Sequence, residues 1–377
     1  MEQTKPAPGL YIHVPFCVSK CGYCDFYSIT DTGLVEAYLK ALIKEIGSYR
    51  EEFIGFDTVY LGGGTPSLLN AGRIGTILEE VHRTFRIAAG AEITIEANPA
   101  DLGKDEMAVL RSLGVNRINI GVQSFDDKEL AFLGRRHDCR SAAASLEAAH
   151  DAGFANIGLD LIYGLPGQAF NAWQTSLEKG LSFHPDHLSC YELDLKVGTP
   201  LGRKYEQGML EPRTDESQHE FFMKTSGIIE DAGYIHYEIS NFARGIEKAS
   251  RHNRKYWDHT PYLGLGPSAH SFKGTRRWWN HESLPDYLRD LKEGRRPVAA
   301  SEDLGTEDLA VEALFLGLRM KKGIDLDRYR SLYGIDLVKE KGPRLSEWVR
   351  AGLIEIDAHT IRPTRSGMAV ADTLALL

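Results

Sequence analysis

Cys17, Cys21 and Cys24 fall within eight residues at the spacing C-x3-C-x2-C. A closed zinc site takes four ligands, commonly from two separated pairs. The other two of the five cysteines, Cys139 and Cys190, are distant and isolated, and read as buried or incidental thiols. An odd cysteine count also suits no disulfide framework. Three thiolates on one loop fit three corners of a [4Fe–4S] cube and leave one iron open to a substrate or cofactor.

Further polar residues gather in a similar way. Gly62–Pro66 reads GGGTP. Its glycines let backbone approach a ligand, and bare N–H groups can hold a polar group. It has neither the G-K-[ST] of a phosphate loop nor the G-x-G-x-x-G of a dinucleotide fold. Glu96, Gln123 and Asp160 each accompany a strand-like run, and Arg135 lies on the segment that follows. Singly, each reads as a solvated loop residue. Together they suit a zwitterionic ligand, because carboxylates bind an ammonium or ribose hydroxyls and an arginine fork binds a carboxylate. Tyr11, six residues before Cys17, can stack on an adenine.

The elements that must position these residues alternate. Strand-like runs at Leu10–Pro15, Thr58–Leu61, Glu92–Ala97, Arg117–Val122, Asn156–Tyr163 and His187–Leu195 are separated by amphipathic helical patterns at Val35–Tyr49, Ala71–Thr84, Lys104–Leu113 and Arg140–Ala152. Six strands alternating with helices predict a parallel sheet with right-handed crossovers, as an open sheet or a barrel. In both, sites form at the carboxyl ends of the strands, where these polar residues cluster. Further on, Arg203–Asp231 predicts one long polar helix, Tyr234–Ile239 a further strand and Pro297–Ser301 a linker. The stretch after Thr306 predicts helices and a small β-ribbon around Ile354–Ile356 and Thr360–Arg362, a winged-helix-like unit. The expected division is 1–235 for the barrel with its cluster loop, 236–300 for an extension, and 301–377 for the small C-terminal domain.

Composition sets bounds. With 377 residues, 42% of them hydrophobic, the chain suits one large domain and a smaller one. A net charge of −9 speaks against a nucleic-acid partner. The sequence has no apolar run of transmembrane length and no basic-then-apolar leader at its start, so a cytoplasmic location is expected. Oligomeric state is left open.

The cysteine spacing, with Tyr23 just before the last cysteine, resembles the radical S-adenosylmethionine (SAM) superfamily. That resemblance implies an α/β partial (β/α)6 radical SAM barrel in which the open iron is chelated by SAM. Tyr11-x-His13-x-Pro15-Phe16-Cys17, GGGTP, Glu96-x-Asn98-Pro99, Gly121-Val-Gln123-Ser124 and Asp160-Leu-Ile-Tyr-Gly-Leu-Pro-Gly are similar, in order, to segments of the oxygen-independent coproporphyrinogen III oxidase family. Carried over, Tyr11, Gly63 and Glu96 would hold one SAM with the open iron. Tyr23, Gly64, Thr65, Gln123, Arg135 and Asp160 match positions that contact a second SAM in the oxidases.

The oxidases continue their motif to C-x3-C-x2-C-x-C, where this chain has Phe26. That departure, with a short N-terminal arm, resembles the heme-chaperone branch of the family, marked by H-N-x-x-Y-W. His252-Asn253-Arg254-Lys255-Tyr256-Trp257 matches the marker. The resemblance implies that the chain binds heme and passes it to recipient hemoproteins, with a membrane-associated respiratory protein or a bacterioferritin-type carrier among the partners. Histidine is a common heme-iron ligand and aromatic rings pack on a porphyrin. His252 and Tyr256 are therefore the expected heme residues, with His13 and His270 of lower weight. On chemistry alone, His252 and Trp257 anchor a loop. The alternative is an active oxidase, with a SAM-derived radical abstracting hydrogen from the propionate side chains of coproporphyrinogen III.

Overall fold

The structure, a computed structural model, describes residues 6–99 and 101–374. Residues 1–5, where the absence of a leader was read, lie outside them. Six parallel strands follow one another in space as in sequence: β1 (Gly9–Val14), β2 (Gly55–Gly63), β3 (Arg86–Ala97), β4 (Arg117–Gln123), β5 (Ile157–Tyr163) and β6 (His187–Glu192). They form the partial barrel, with helices Val35–Ser48, Ala71–Thr84, Lys104–Ser112, Cys139–Asp151 and Phe170–Ser182 among its crossovers.

Strict alternation along the strands sorts the side chains. Leu10, Ile12 and Val14, like Val59 and Leu61, Ile93 and Ile95, and Ile118 and Ile120, join the apolar core beneath the helices. Their neighbours Tyr11, Tyr60, Glu96, Asn119 and Asp160 meet one another on the opposite face. A side-chain period of two gives the barrel an apolar outside and a polar inside.

The sheet continues beyond both ends of the barrel. After β6 come β8 (Asn241–Ala243) and β7 (Ile235–Glu238), both antiparallel. On the other side, β9 (Tyr262–Leu265) lies parallel to β1, followed by antiparallel β10 (His270–Lys273), β11 (Arg276–Asn280) and β12 (Val298–Asp303). The expected linker Pro297–Ser301 is thus mostly edge strand. Its exposed residues give no apolar alternation to read, and pairing with β11 defines it. The expected long helix Arg203–Asp231 is two, Pro200–Glu206 and Asp215–Asp231, broken where Gly208 adopts φ +69° and Pro212 follows. Proline and left-handed glycine both end helices.

Residues Thr306–Leu374 carry a separate apolar core around Leu314, Leu318, Tyr329, Trp348 and Ile361. Its sheet is ordered β13 (Ile324–Asp325), β15 (Thr360–Pro363), β14 (Ile354–Ile356).

Glu45 ties the β9–β11 extension to the barrel. It is fully buried on helix Val35–Ser48. Its Oε2 accepts from Gly266 N–H (2.8 Å) and Tyr287 O–H (2.6 Å), and its Oε1 from Asn280 Nδ2 (2.6 Å). Burial pushes its carboxyl up to about 7 against these three bonds. Glu45→Ala strands all three donors, each costing roughly 1–3 kcal/mol. Urea unfolding is expected to show a loss of about 3 kcal/mol or more; a loss below about 1 kcal/mol would contradict this role.

Candidate functional site

The cysteine loop leaves β1 and is closed at its ends. Cys17 N–H donates to Ile29 O (2.9 Å) and Ile29 N–H to Pro15 O (2.8 Å). Its middle is pinned by Gly22 N–H to Leu133 O (3.0 Å) and Leu201 N–H to Gly22 O (2.8 Å). All three cysteines are free and half-buried. Thr65 Oγ1 donates to Cys17 Sγ (3.3 Å), and Arg135 Nη1 to Cys21 Sγ (3.4 Å). Burial raises the Cys24 thiol. Among the described residues no three His, Cys, Asp or Glu side chains converge on a single metal ion. A cube takes each thiolate on a separate iron, so its ligands do not need to meet at one point.

Above the loop opens a cavity of about 400 Å³ at the carboxyl ends of the barrel strands. Tyr23, Cys24, Gly63, Gly64, Thr65, Glu96, Gln123, Arg135 and Asp160 all line it. Six elements bring these residues together, as the strand-end argument expects. Gly63 has φ +112°, and a Cβ there would stand 2.6 Å from the His13 ring. A Cβ on Gly64 would stand 2.7 Å from Phe16 O. These two positions take no side chain, because the GGGTP turn lies directly against the root of the cysteine loop. Gln123 holds φ +72° where the β4–β5 register slips. Such strain in a non-glycine residue is retained where surrounding structure fixes it, commonly at functional sites.

The electrostatics are those of a polar cradle. Arg135 Nη2 donates to Gly121 O (2.7 Å) and Asn98 Oδ1 (3.1 Å). Burial opposes its charge, but Tyr23 and Cys21 beside it hold the guanidinium pKa up. Burial raises the Tyr23 hydroxyl and the Asp160 carboxyl. Glu96 accepts from Tyr60 O–H (2.7 Å) and Gly63 N–H (3.2 Å). Burial, aided by the Asp160 charge, pushes its carboxyl up to about 7. Asp160 Oδ1, Asn119 Oδ1 and Arg135 Nε are buried without a hydrogen-bond partner. Orphaned donors and acceptors of both kinds around one cavity fit a zwitterionic ligand such as SAM, and the three thiolates fit a [4Fe–4S] cube.

Tyr11, His13, His252 and Tyr256 are not at this cavity. Tyr11 sits lower in the barrel, its hydroxyl 3.1 Å from His13 Nδ1 and its ring 6.1 Å from that of Tyr60. His13 is structural, its Nε2 bonded to Tyr27 O (2.9 Å). His252 is 1% exposed. Its Nδ1 meets Thr58 Oγ1 (2.8 Å), its Nε2 meets Tyr256 O–H (2.9 Å), and its ring stacks on Tyr60 at 5.1 Å. Burial depresses it to about 3. Both nitrogens are engaged, so His252 presents no free lone pair to an iron and serves as the loop anchor that its chemistry alone suggests. Glu92 accepts the backbone N–H groups of Arg251 and His252 and fixes the start of the helix Arg251–Trp257. Tyr256 lines a different cavity.

Tyr60 and Asn119 were missed by sequence reasoning. Tyr60 and Asn119 occupy the polar positions of the runs TVYL and RINI, so alternation was the available signal. Among the described residues no helix is long and apolar enough to cross a membrane.

Residues 11–179 match the radical SAM superfamily and residues 304–370 the HemN C-terminal domain. The heme chaperone HemW of Mycobacterium tuberculosis is 36% identical over 326 residues, covering 85% of this chain and 83% of that protein. The heme chaperone HemW of Lactococcus lactis is 33% identical over 366 residues, covering 97% and 95%. The structure of the radical SAM enzyme coproporphyrinogen III oxidase (HemN) of Escherichia coli superposes with a TM-score of 0.86 at 25% identity, covering 98% of this chain and 90% of that one. Relatives identical at a third of their positions over nearly the whole length, on a barrel whose cysteine loop and GGGTP turn meet, leave one assignment: the chain belongs to the HemW family of the radical SAM superfamily.

Proposed function

We propose that this protein is a heme chaperone, which binds heme alongside a [4Fe–4S] cluster and SAM and passes the heme to recipient hemoproteins. The observation that carries this reading is the identity with HemW proteins along almost the entire chain. Phe26 adds to it. The residue stands where the oxidase motif has its last cysteine, is 65% exposed, and lines the cavity mouth. In the proposed division of labour, residues 1–235 hold cluster and SAM, and residues 236–300 with 301–377 serve heme. The cluster supplies one-electron chemistry when bound. Cys17, Cys21 and Cys24 hold it, Thr65 and Arg135 donate to its sulfur ligands, and Glu96 with the Gly63 turn orients SAM. The location we propose is cytoplasmic.

The second reading, an active coproporphyrinogen III oxidase, is favoured by one observation. Tyr23, Gln123, Arg135 and Asp160, which match second-SAM positions of the oxidases, all reach the same cavity. One experiment divides the two. Hemin is titrated into the anaerobically reconstituted protein, and coproporphyrinogen III, SAM and reductant are supplied in a parallel sample. A saturable Soret shift without protoporphyrinogen is expected. Protoporphyrinogen formation would establish the second reading, and absence of saturable heme binding would overturn the first.

A further inference from the structure

A second cavity, of about 590 Å³, lies between β9–β11 and the helices Arg251–Trp257 and Thr306–Leu318. Its volume is in the range of cofactor sites, roughly 300–1,000 Å³. Its walls are aromatic: Tyr256, Tyr262, Phe272, Trp279 and Phe315. Tyr256 stands edge-on to Tyr262 at 4.7 Å, while its hydroxyl holds the buried His252 ring. The H-N-x-x-Y-W helix therefore builds a wall of this cavity, with its histidine serving as the anchor.

Several polar groups of the cavity are paired. Arg277 forks onto Glu312 (2.6 and 2.9 Å) and also reaches Glu302 (3.1 Å). Neutralised in this way, it has no free fork for a phosphate or carboxylate inside the cavity. His259 Nε2 lies 3.3 Å from Glu312 Oε2 but makes no hydrogen bond, and its Nδ1 lies 3.5 Å from the Tyr333 hydroxyl. His270 lines the same cavity and is exposed. Among the described residues neither of its ring nitrogens has a hydrogen-bond partner. Its ring stacks on Trp279 at 5.7 Å and 24°, which sets its plane. Partial burial, and then the charge of Arg277, lower its pKa, which favours the neutral imidazole that binds metals.

An aromatic slot with an exposed, unpartnered imidazole and no free internal charge suits a large, flat, apolar ligand with a metal at its centre. We propose that this cavity is the heme site and that a His270 ring nitrogen is the axial ligand to the iron. The proposal rests on the heme-binding reading above and assigns that activity a place and a ligand.

The test is a hemin titration of the full-length, cluster-reconstituted protein, followed by Soret absorbance and by electron paramagnetic resonance of the ferric heme. Wild type, His270→Ala and His270→Gly are compared, the last with and without added imidazole. His270→Ala is expected to bind hemin about tenfold more weakly or worse and to lose the histidine-ligand signature. Imidazole is expected to restore that signature in His270→Gly. Because rescue requires a folded pocket, it separates loss of the ligand from loss of structure. His270→Ala with wild-type affinity and spectrum overturns the assignment while leaving heme binding intact. Failure of imidazole to restore the signature also overturns it. A wild-type protein without saturable heme binding removes the functional reading itself, and the site with it.

Discussion

Cys21→Ser is expected to leave the anaerobically reconstituted protein without its cluster, dropping from about four irons per chain to less than one, with loss of the visible thiolate–iron absorbance. The physical basis is the difference between thiol and hydroxyl. Serine keeps the size of the side chain and can still accept from Arg135 Nη1, which lies 3.4 Å from the Cys21 sulfur. The loop backbone is pinned independently by Gly22 to Leu133 and by Leu201 to Gly22, so the fold should persist. A serine hydroxyl, however, does not ionise near neutrality to become an iron ligand. Cys139→Ser and Cys190→Ser are the controls. Burial and Asp127 push the Cys139 thiol up to about 12. Cys190 is buried in the apolar layer outside the barrel. Both variants are expected to retain full iron. Full iron in Cys21→Ser, or loss in either control, would contradict the three-thiolate loop.

SAM affinity is expected to depend on pH through Glu96. The Glu96 carboxyl is raised from 4.5 to about 7 by burial, and the ammonium of SAM pairs with its ionised form. SAM binding therefore releases a proton below that pH. Affinity should fall about tenfold for each pH unit below about 7 and level off above it. Glu96→Gln should bind SAM more weakly and with a flat profile over the same range, since it keeps an acceptor for Tyr60 and removes the charge. Calorimetric titrations of SAM at about pH 6, 7 and 8 measure this. Affinity that rises toward acid, or a wild-type profile as flat as that of Glu96→Gln, would contradict it.

The barrel was legible in the sequence because its physics is local. Each parallel strand places apolar residues such as Leu10, Ile12 and Val14 under the helices, and the alternating polar residues mark the inside. The strand-end clusters were legible for the same reason, and the cavity collects nine of the residues they suggested. What escaped is non-local. Nothing near His252 in the sequence reveals that Thr58, 194 residues away, takes its Nδ1, or that Glu92 caps its helix from 160 residues away. Chemistry alone reads His252 as a loop anchor, but the partners that make it an internal strut come only from tertiary packing. His270 had the opposite fate. It was a minor candidate because an isolated histidine carries no motif, and its unpartnered ring beside Trp279 emerges only when β10 pairs with β11. The break in Arg203–Asp231 is different in kind. Gly208 and Pro212 signalled it, and the helical composition on either side masked the signal.

Heme delivery is the property that separates a carrier from a porphyrinogen-consuming enzyme. The most direct measurement is to load the reconstituted protein with heme, remove the excess, and mix it with an apo-hemoprotein that binds heme from solution. The Soret band is then followed as it moves from donor to recipient. The account predicts that the recipient gains its own heme spectrum at the expense of the donor. A donor that retains its heme when an apo-recipient is in excess would contradict it.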